Sequence, residues 1–246
     1  MKKYPARGIF VTGTGTGVGK SIVTGGLAGL LEKQGINVGV MKPVETGCLH
    51  ADGSFLPMDA QFLKDMSGVN TPLEEIVPYQ FKEPLAPLVA AEREGITIDS
   101  NHLIKKFKHI SRYHDVMLVE GAGGLLVPLH QKFFFIDLIK RFKLPILIVG
   151  RATLGTINHT LLTLRAARAE KVPVAGIVIN HVSPGKNAAS ETNPDVIARL
   201  CDVPMWGVLP YQGEIQPHFS CREAIIKLVQ TYLNERYFSN LMPIKA

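Results

Sequence analysis

Two hydrophobic periods alternate along the chain. Gly8 to Thr12 is an unbroken apolar run the length of one buried strand, and Val23, Leu27, Leu30 and Leu31 then recur on one helical face. Gly35 closes that helix, and Asn37 to Lys42 reads as a second strand. Residues 48–58 are expected as a loop. Asp59 opens a short helix through Leu63 and Met66 that ends at Gly68. Val77 to Phe81 is expected as an edge strand and Ala86 to Glu94 as a short helix. Asp99-Ser100 caps a further helix carrying Leu103, Phe107 and Ile110. Val116 to Val119, Pro145 to Gly150, Val174 to Asn180 and Met205 to Leu209 read as strands. Helices fall around Ile136 and Ile139, from Gly155-Thr156 to about Lys171, over residues 190–201, and through Ile225, Leu228, Val229 and Tyr232. Strands that are apolar throughout and alternate with helices predict an α/β fold, a mostly parallel sheet with helices on both faces. No repeat, low-complexity tract or linker interrupts the pattern, so residues 1–246 are expected to form one domain. Ligands of such sheets bind beyond the C-terminal ends of the strands, which directs attention to Lys42, Glu120, Arg151, Asn180 and Pro210.

The loop after the first strand reads GTGTGVGKS, from Gly13 to Ser21. Its glycines let backbone N–H groups approach anionic oxygens, and the helix behind it offers free N–H groups and the positive end of its dipole. Strand, glycine loop, Lys-Ser and helix make a phosphate-binding P-loop. In that motif Lys20 reaches the β- and γ-phosphates and the Ser21 hydroxyl takes a place on Mg²⁺. The glycine that the usual spacing puts five residues before Gly19 is Thr14, so this loop is one residue longer. A dinucleotide loop fits worse, because its third glycine would fall on Val18.

Lys42 stands at a strand end on the same side of the sheet. A second lysine there suits a transferring phosphoryl group or an anionic substrate, and the Pro-Val-Glu-Thr-Gly that follows favours this over a merely exposed lysine. Glu120 ends an apolar strand before Gly121-Ala122-Gly123-Gly124, where a carboxylate suits Mg²⁺ opposite Ser21. Asp59 is either a further metal ligand or the N-cap of its helix, and Asn180 either reads a base edge or is a turn residue. The eight histidines, His218 among them, form no ligand set.

Composition sharpens this little. Hydrophobic residues make up 46% and charged residues 20%, as in an ordinary globular protein. The net charge is +6, but the clusters Lys105, Lys106, Lys108, Arg112 and Lys132, Lys140, Arg141, Lys143 lack interleaved aromatics. They read as solvated helix faces and not as a nucleic-acid surface. Cys48, Cys201 and Cys221 are odd in number and show no CxxC spacing, as expected for a cytoplasmic protein without disulfides or zinc. Lys2, Lys3 and Arg7 imitate a signal-peptide start, but the apolar run after them is too short, and no later run reaches a membrane span.

Taken in order, GTGTGVGKS, KPVETG at 42–47, Asp59, VEGAGG at 119–124, LGTINH at 154–159, Asn180 and LPY at 209–211 resemble the dethiobiotin synthetases, over nearly the whole chain. The resemblance implies a P-loop NTPase fold. It also implies an ATP-dependent ring closure in which 7,8-diaminononanoate and CO₂ give dethiobiotin through a carbamate and a carbamic-phosphoric mixed anhydride. By motif position, Lys20, Lys42 and Thr16 would be catalytic, and Ser21, Asp59 and Glu120 would hold Mg²⁺. Gly17, Val18, Gly19 and Ile22 with Glu120, Gly121, Ala122 and Gly123 would surround the phosphates. Asn180, His181, Pro210, Tyr211 and Gln212 would frame the adenine. Thr46 would lie along the substrate. In a homodimer, Gly155, Thr156, Ile157 and Asn158 would serve the neighbouring subunit, a helix N-terminus suiting the substrate's carboxylate. Gly17 replaces an acidic residue of some members, and Glu45 puts a negative charge beside the carbamate site.

Three other classes fit less well. A partition- or septum-type switch ATPase would carry a lysine early in the phosphate loop and Asp-x-Pro in place of Glu120-Gly-Ala-Gly. A GTPase would complete Asn180 with Lys-x-Asp. A cobyrinic-acid-type amidotransferase would need a glutaminase domain for which the chain has no room.

Overall fold

A computed structural model describes residues 7–51, 54–185, 188–213, 215 and 222–241. Lys2, Lys3, His218 and Cys221 lie outside the described residues. Six strands form the central sheet: β1 (Gly8–Gly13), β2 (Val38–Met41), β3 (Val116–Glu120), β4 (Ile146–Arg151), β5 (Val174–Asn180) and β6 (Met205–Leu209). Their order is β6-β5-β4-β1-β3-β2, and every neighbouring pair is parallel. The helices used below are α1 (Lys20–Lys33), α2 (Met58–Ser67), α3 (Pro87–Arg93), α4 (Ser100–Ser111), α5 (Phe135–Phe142), α6 (Thr156–Ala169), α7 (Ala188–Leu200) and α8 (Arg222–Tyr232).

Strand residues alternate in direction, so a sheet with both faces covered needs an apolar side chain at every position. Ile9, Val11, Leu118, Leu147 and Val149 enter one core with α1, α2 and α8. Phe10, Met117, Val119, Ile146 and Ile148 enter a second core with α4, α5, α6 and α7. That division is the three-layer α/β architecture the apolar runs predict. Each Val, Leu or Ile buried in it contributes roughly 1.5–3 kcal/mol against the entropy of ordering the chain.

The minor elements differ from expectation. Tyr79–Phe81 is a strand, but it pairs in parallel with Val44–Thr46 apart from the main sheet, whose edge is β2. The main-chain N–H of Lys42 donates to Ile76 O, and Val77 closes the short helix Leu73–Ile76, so the chain cannot run beside β2 there. The expected loop at 48–58 contains the hairpin Leu49–Ala51 with Ser54–Leu56. A second hairpin, Pro128–His130 with Phe133–Phe134, precedes α5. The edge strand β6 carries Trp206, 2% exposed, whose indole N–H donates to Ala175 O at 3.0 Å. Gly176 makes room for that ring, since a Cβ there would come within 2.1 Å of the indole.

Candidate active site

The phosphate loop leaves β1 and turns into α1 through Gly19, whose φ of 92° and contact with Asn180 exclude any side chain. No side chain caps α1, so its first N–H groups remain available to an anion. Lys20 folds back over the loop and donates to Gly15 O at 3.2 Å. Burial, and then the neighbouring Lys42 charge, depress its pKa to about 8.

β2 and β3 bring the other charges to the same place. Lys42, 3% exposed, donates from Nζ to Asp59 Oδ2 at 2.7 Å and to Glu120 Oε1 at 2.5 Å. Burial opposes its ammonium form, but Glu120, Asp59 and Glu45 together outweigh that and raise its pKa above the usual lysine value. Burial pushes the Glu120 pKa up, with Lys42 acting against it. The Ser21 hydroxyl lies 3.1 Å from Asp59 Oδ1 and 3.0 Å from Glu120 Oε1.

Asp59 is not the N-cap of α2. The helix begins at Met58 behind Pro57, which has no capping side chain. The cap is Glu45, whose Oε1 accepts the N–H of Asp59 and whose Oε2 accepts that of Ala60, both at 2.9 Å. Its carboxylate is therefore spent on the helix end that presents Asp59. Burial, only partly offset by Lys42, raises its pKa to about 7.

These groups line a cavity of about 710 Å³. Thr16, Gly17, Gly19, Lys20, Ser21, Ile22, Lys42, Thr46, Asp59, Glu120, Ala122, Gly123, Asn180, His181, Pro210, Tyr211 and Gln212 all lie on its wall. Pro84 to Pro87 and Val127 add an apolar part to its lining. Val18 and Gly121 are not on the wall. Val18 packs in the core, and a side chain at Gly121 would meet Phe10. Gly155, Thr156, Ile157 and Asn158 also lie off this wall: Gly155 is the N-cap of α6, Thr156 is buried with its hydroxyl unpaired, and Asn158 is exposed. Asn180, on the wall, donates one side-chain N–H to Val18 O at 3.0 Å, which ties the strand end to the phosphate loop. Arg151, a strand-end residue with no role inferred from sequence, donates from Nη2 to Thr16 O at 3.3 Å and Gly17 O at 3.1 Å.

The donor set fits Mg²⁺. Ser21, Asp59 and Glu120 are hard oxygen ligands, and Glu120 Oε2 is buried with no hydrogen-bond partner. No group of three or more His, Cys, Asp or Glu among the described residues is arranged to hold a metal. A Mg²⁺ held by two carboxylates, a hydroxyl and nucleotide oxygens needs no such group. No helix among the described residues is long and apolar enough to cross a membrane.

Comparison with known proteins agrees with this geometry. The family model for the AAA domain matches residues 7–218. The ATP-dependent dethiobiotin synthetase BioD of Thermodesulfovibrio yellowstonii is 47% identical over 216 residues, 85% of this chain and 90% of that protein. The same enzyme of Bacillus subtilis strain 168 is 41% identical over 230 residues, 93% and 95% of the two chains. Among solved structures, the septum site-determining protein MinD of Pyrococcus horikoshii superposes with a TM-score of 0.55 at 15% identity, covering 89% of this chain and 86% of that one. A ParA family ATPase from Chlorobium tepidum gives 0.54 at 15% identity over 96% of both. At such identity these two share the fold alone. The chain belongs to the AAA-domain family of P-loop proteins and, within it, to the ATP-dependent dethiobiotin synthetases.

Proposed function

We propose that this enzyme carboxylates 7,8-diaminononanoate and closes the ureido ring of dethiobiotin in biotin biosynthesis, at the expense of ATP. The observation that carries the reading is Lys42, buried between Glu120 and Asp59 in a cavity lined also by the phosphate loop and Thr46. One amine adds to CO₂ and loses a proton, giving a carbamate. The carbamate oxygen takes the γ-phosphoryl group, releasing ADP, and the second amine attacks the mixed anhydride and expels phosphate. Lys20 and Lys42 hold the negative charge that gathers between phosphate and carbamate, where a preorganised cation is worth more than in water. Thr16 and Thr46 orient the two reactants. The apolar wall at residues 84–87 suits methylenes of the acid chain.

Ser21, Asp59 and Glu120 would hold Mg²⁺, which when bound neutralises phosphate charge. His181, Pro210, Tyr211 and Gln212 bound the end of the cavity suited to the base. In a cytoplasmic homodimer, the N-terminus of α6 would receive the carboxylate of the substrate bound to the other subunit, which accounts for residues 155–158 lying off this cavity.

Single-turnover phosphate release with Mg-ATP and bicarbonate, with and without the diamine, tests the proposal. Phosphate should appear only with the diamine and match the dethiobiotin found by mass spectrometry, and Lys42→Ala should abolish both. Slow hydrolysis indifferent to the diamine would sink the synthetase reading and favour a switch ATPase.

A further inference from the structure

Arg151 ends β4 and Asn180 ends β5, and the two are in-register neighbours across the parallel pair. Their side chains reach the same short stretch of phosphate loop. Arg151 Nη2 donates to Thr16 O and Gly17 O, and Asn180 Nδ2 donates to Val18 O. Three successive carbonyls are thus drawn to donors on two adjacent strand ends. In a trans peptide the N–H points opposite to the preceding C=O, and no peptide bond among the described residues is cis. Holding the carbonyls of 16, 17 and 18 therefore turns the N–H groups of 17, 18 and 19 the other way, as a loop whose N–H groups cradle a phosphate requires. Gly17 belongs to this arrangement. Its φ is +68°, and a Cβ there would stand 3.1 Å from the Arg151 guanidinium.

We infer that Arg151 is a positioning residue for the phosphate loop, fixing its backbone in the conformation that binds nucleotide polyphosphate. The guanidinium suits the task, since its Nη2 alone bridges two carbonyls and the group is not consumed by a carboxylate. Among the described residues no acidic side chain pairs with it. The inference rests on ATP binding at the loop and not on the identity of the amine substrate.

ADP binding to the full chain, measured by titration calorimetry without the diamine, keeps the two questions apart. Arg151→Ala should weaken ADP by about 10- to 100-fold, the loss expected for charge-assisted hydrogen bonds to the loop. Added guanidinium at millimolar concentration should restore part of that affinity. In turnover, KM for ATP should rise about tenfold while kcat stays within about threefold, because the loop holds ground and transition states alike. Arg151→Lys keeps the charge but not the planar, longer-reaching guanidinium, and should bind ADP more weakly than the parent. If Arg151→Ala does not fold, the lysine variant carries the test alone. Unchanged ADP affinity in a folded variant, or a fall in kcat with ADP affinity intact, would overturn the inference.

Discussion

Glu45 shows how one side chain can change role between sequence and fold. By sequence it places a negative charge beside the carbamate site; in the fold its two oxygens close the N-terminus of α2, where Pro57 offers nothing. Glu45→Ala should cost about 1–2 kcal/mol of stability, as loss of a helix cap does. It should also loosen Asp59, weakening Mg²⁺-dependent ADP binding. A denaturant titration paired with calorimetry at varied Mg²⁺ checks both. Nearby, burial and then the Glu45 charge push the Cys48 thiol up to about 12. Only the thiolate is alkylated, so at pH 8 Cys48 of the folded protein should react roughly a thousand-fold more slowly than a free thiol, gaining about tenfold per pH unit. Peptide mapping after timed iodoacetamide treatment reads this directly, and fast labelling of Cys48 at pH 8 would refute it. Lys20, Lys42 and Glu120 were legible in the sequence because local motifs at strand ends carry them, whereas Asp59, in the first turn of α2, could be read equally as a ligand or a cap. Glu45 as a cap and Arg151 as a brace were not, since the brace joins residues separated by up to 135 positions and only the strand order brings them together.

At the scale of elements, α1 is the informative case. Its apolar spacing marks a single face, yet nearly the whole helix is buried, and Gly25, Gly26 and Gly29 let α2 and α8 approach closely. Alanine normally favours a helix over glycine by about 1 kcal/mol. At Gly26, however, a Cβ would stand 2.3 Å from the stiff β-branched Val229, and forcing an atom into a packed core costs about 1–3 kcal/mol. Gly26→Ala should therefore lower the thermal midpoint, whereas a rise in differential scanning calorimetry would mean that the helices give way. The six main strands were readable because they are apolar runs, buried on both faces except at the edge strand β6, where Met205 and Val208 are half-buried. The two hairpins were not, because strands of two or three residues are too short to display a period.

For the molecule as a whole, the buried charges set conditions on ligand binding. Lys20, Lys42, Glu45, Asp59 and Glu120 lie in one cavity, so a Mg-nucleotide that adds ligands for the carboxylates and lysines should stabilise the entire fold. At a hundredfold excess over its dissociation constant, Mg-ADP should add about 2.7 kcal/mol, or roughly 5–10 °C in midpoint. Chelation by EDTA should remove most of the gain, and a midpoint indifferent to EDTA would contradict the Mg²⁺ role of Ser21, Asp59 and Glu120. Three-layer order was legible from the alternation of strands and helices, whereas the lateral order of the strands had to come from the structure, because a long crossover leaves no trace in local spacing.

Trp206 is the one tryptophan of the chain. Its ring is shielded from water on the edge strand that runs directly into Pro210, Tyr211 and Gln212. The protein thus carries a built-in fluorophore with no competing indole signal. Its emission should be blue-shifted in the native state and move to longer wavelength when this edge of the sheet opens. Stopped-flow fluorescence would then time the release of this edge of the sheet separately from the loss of helix seen by circular dichroism, without any label.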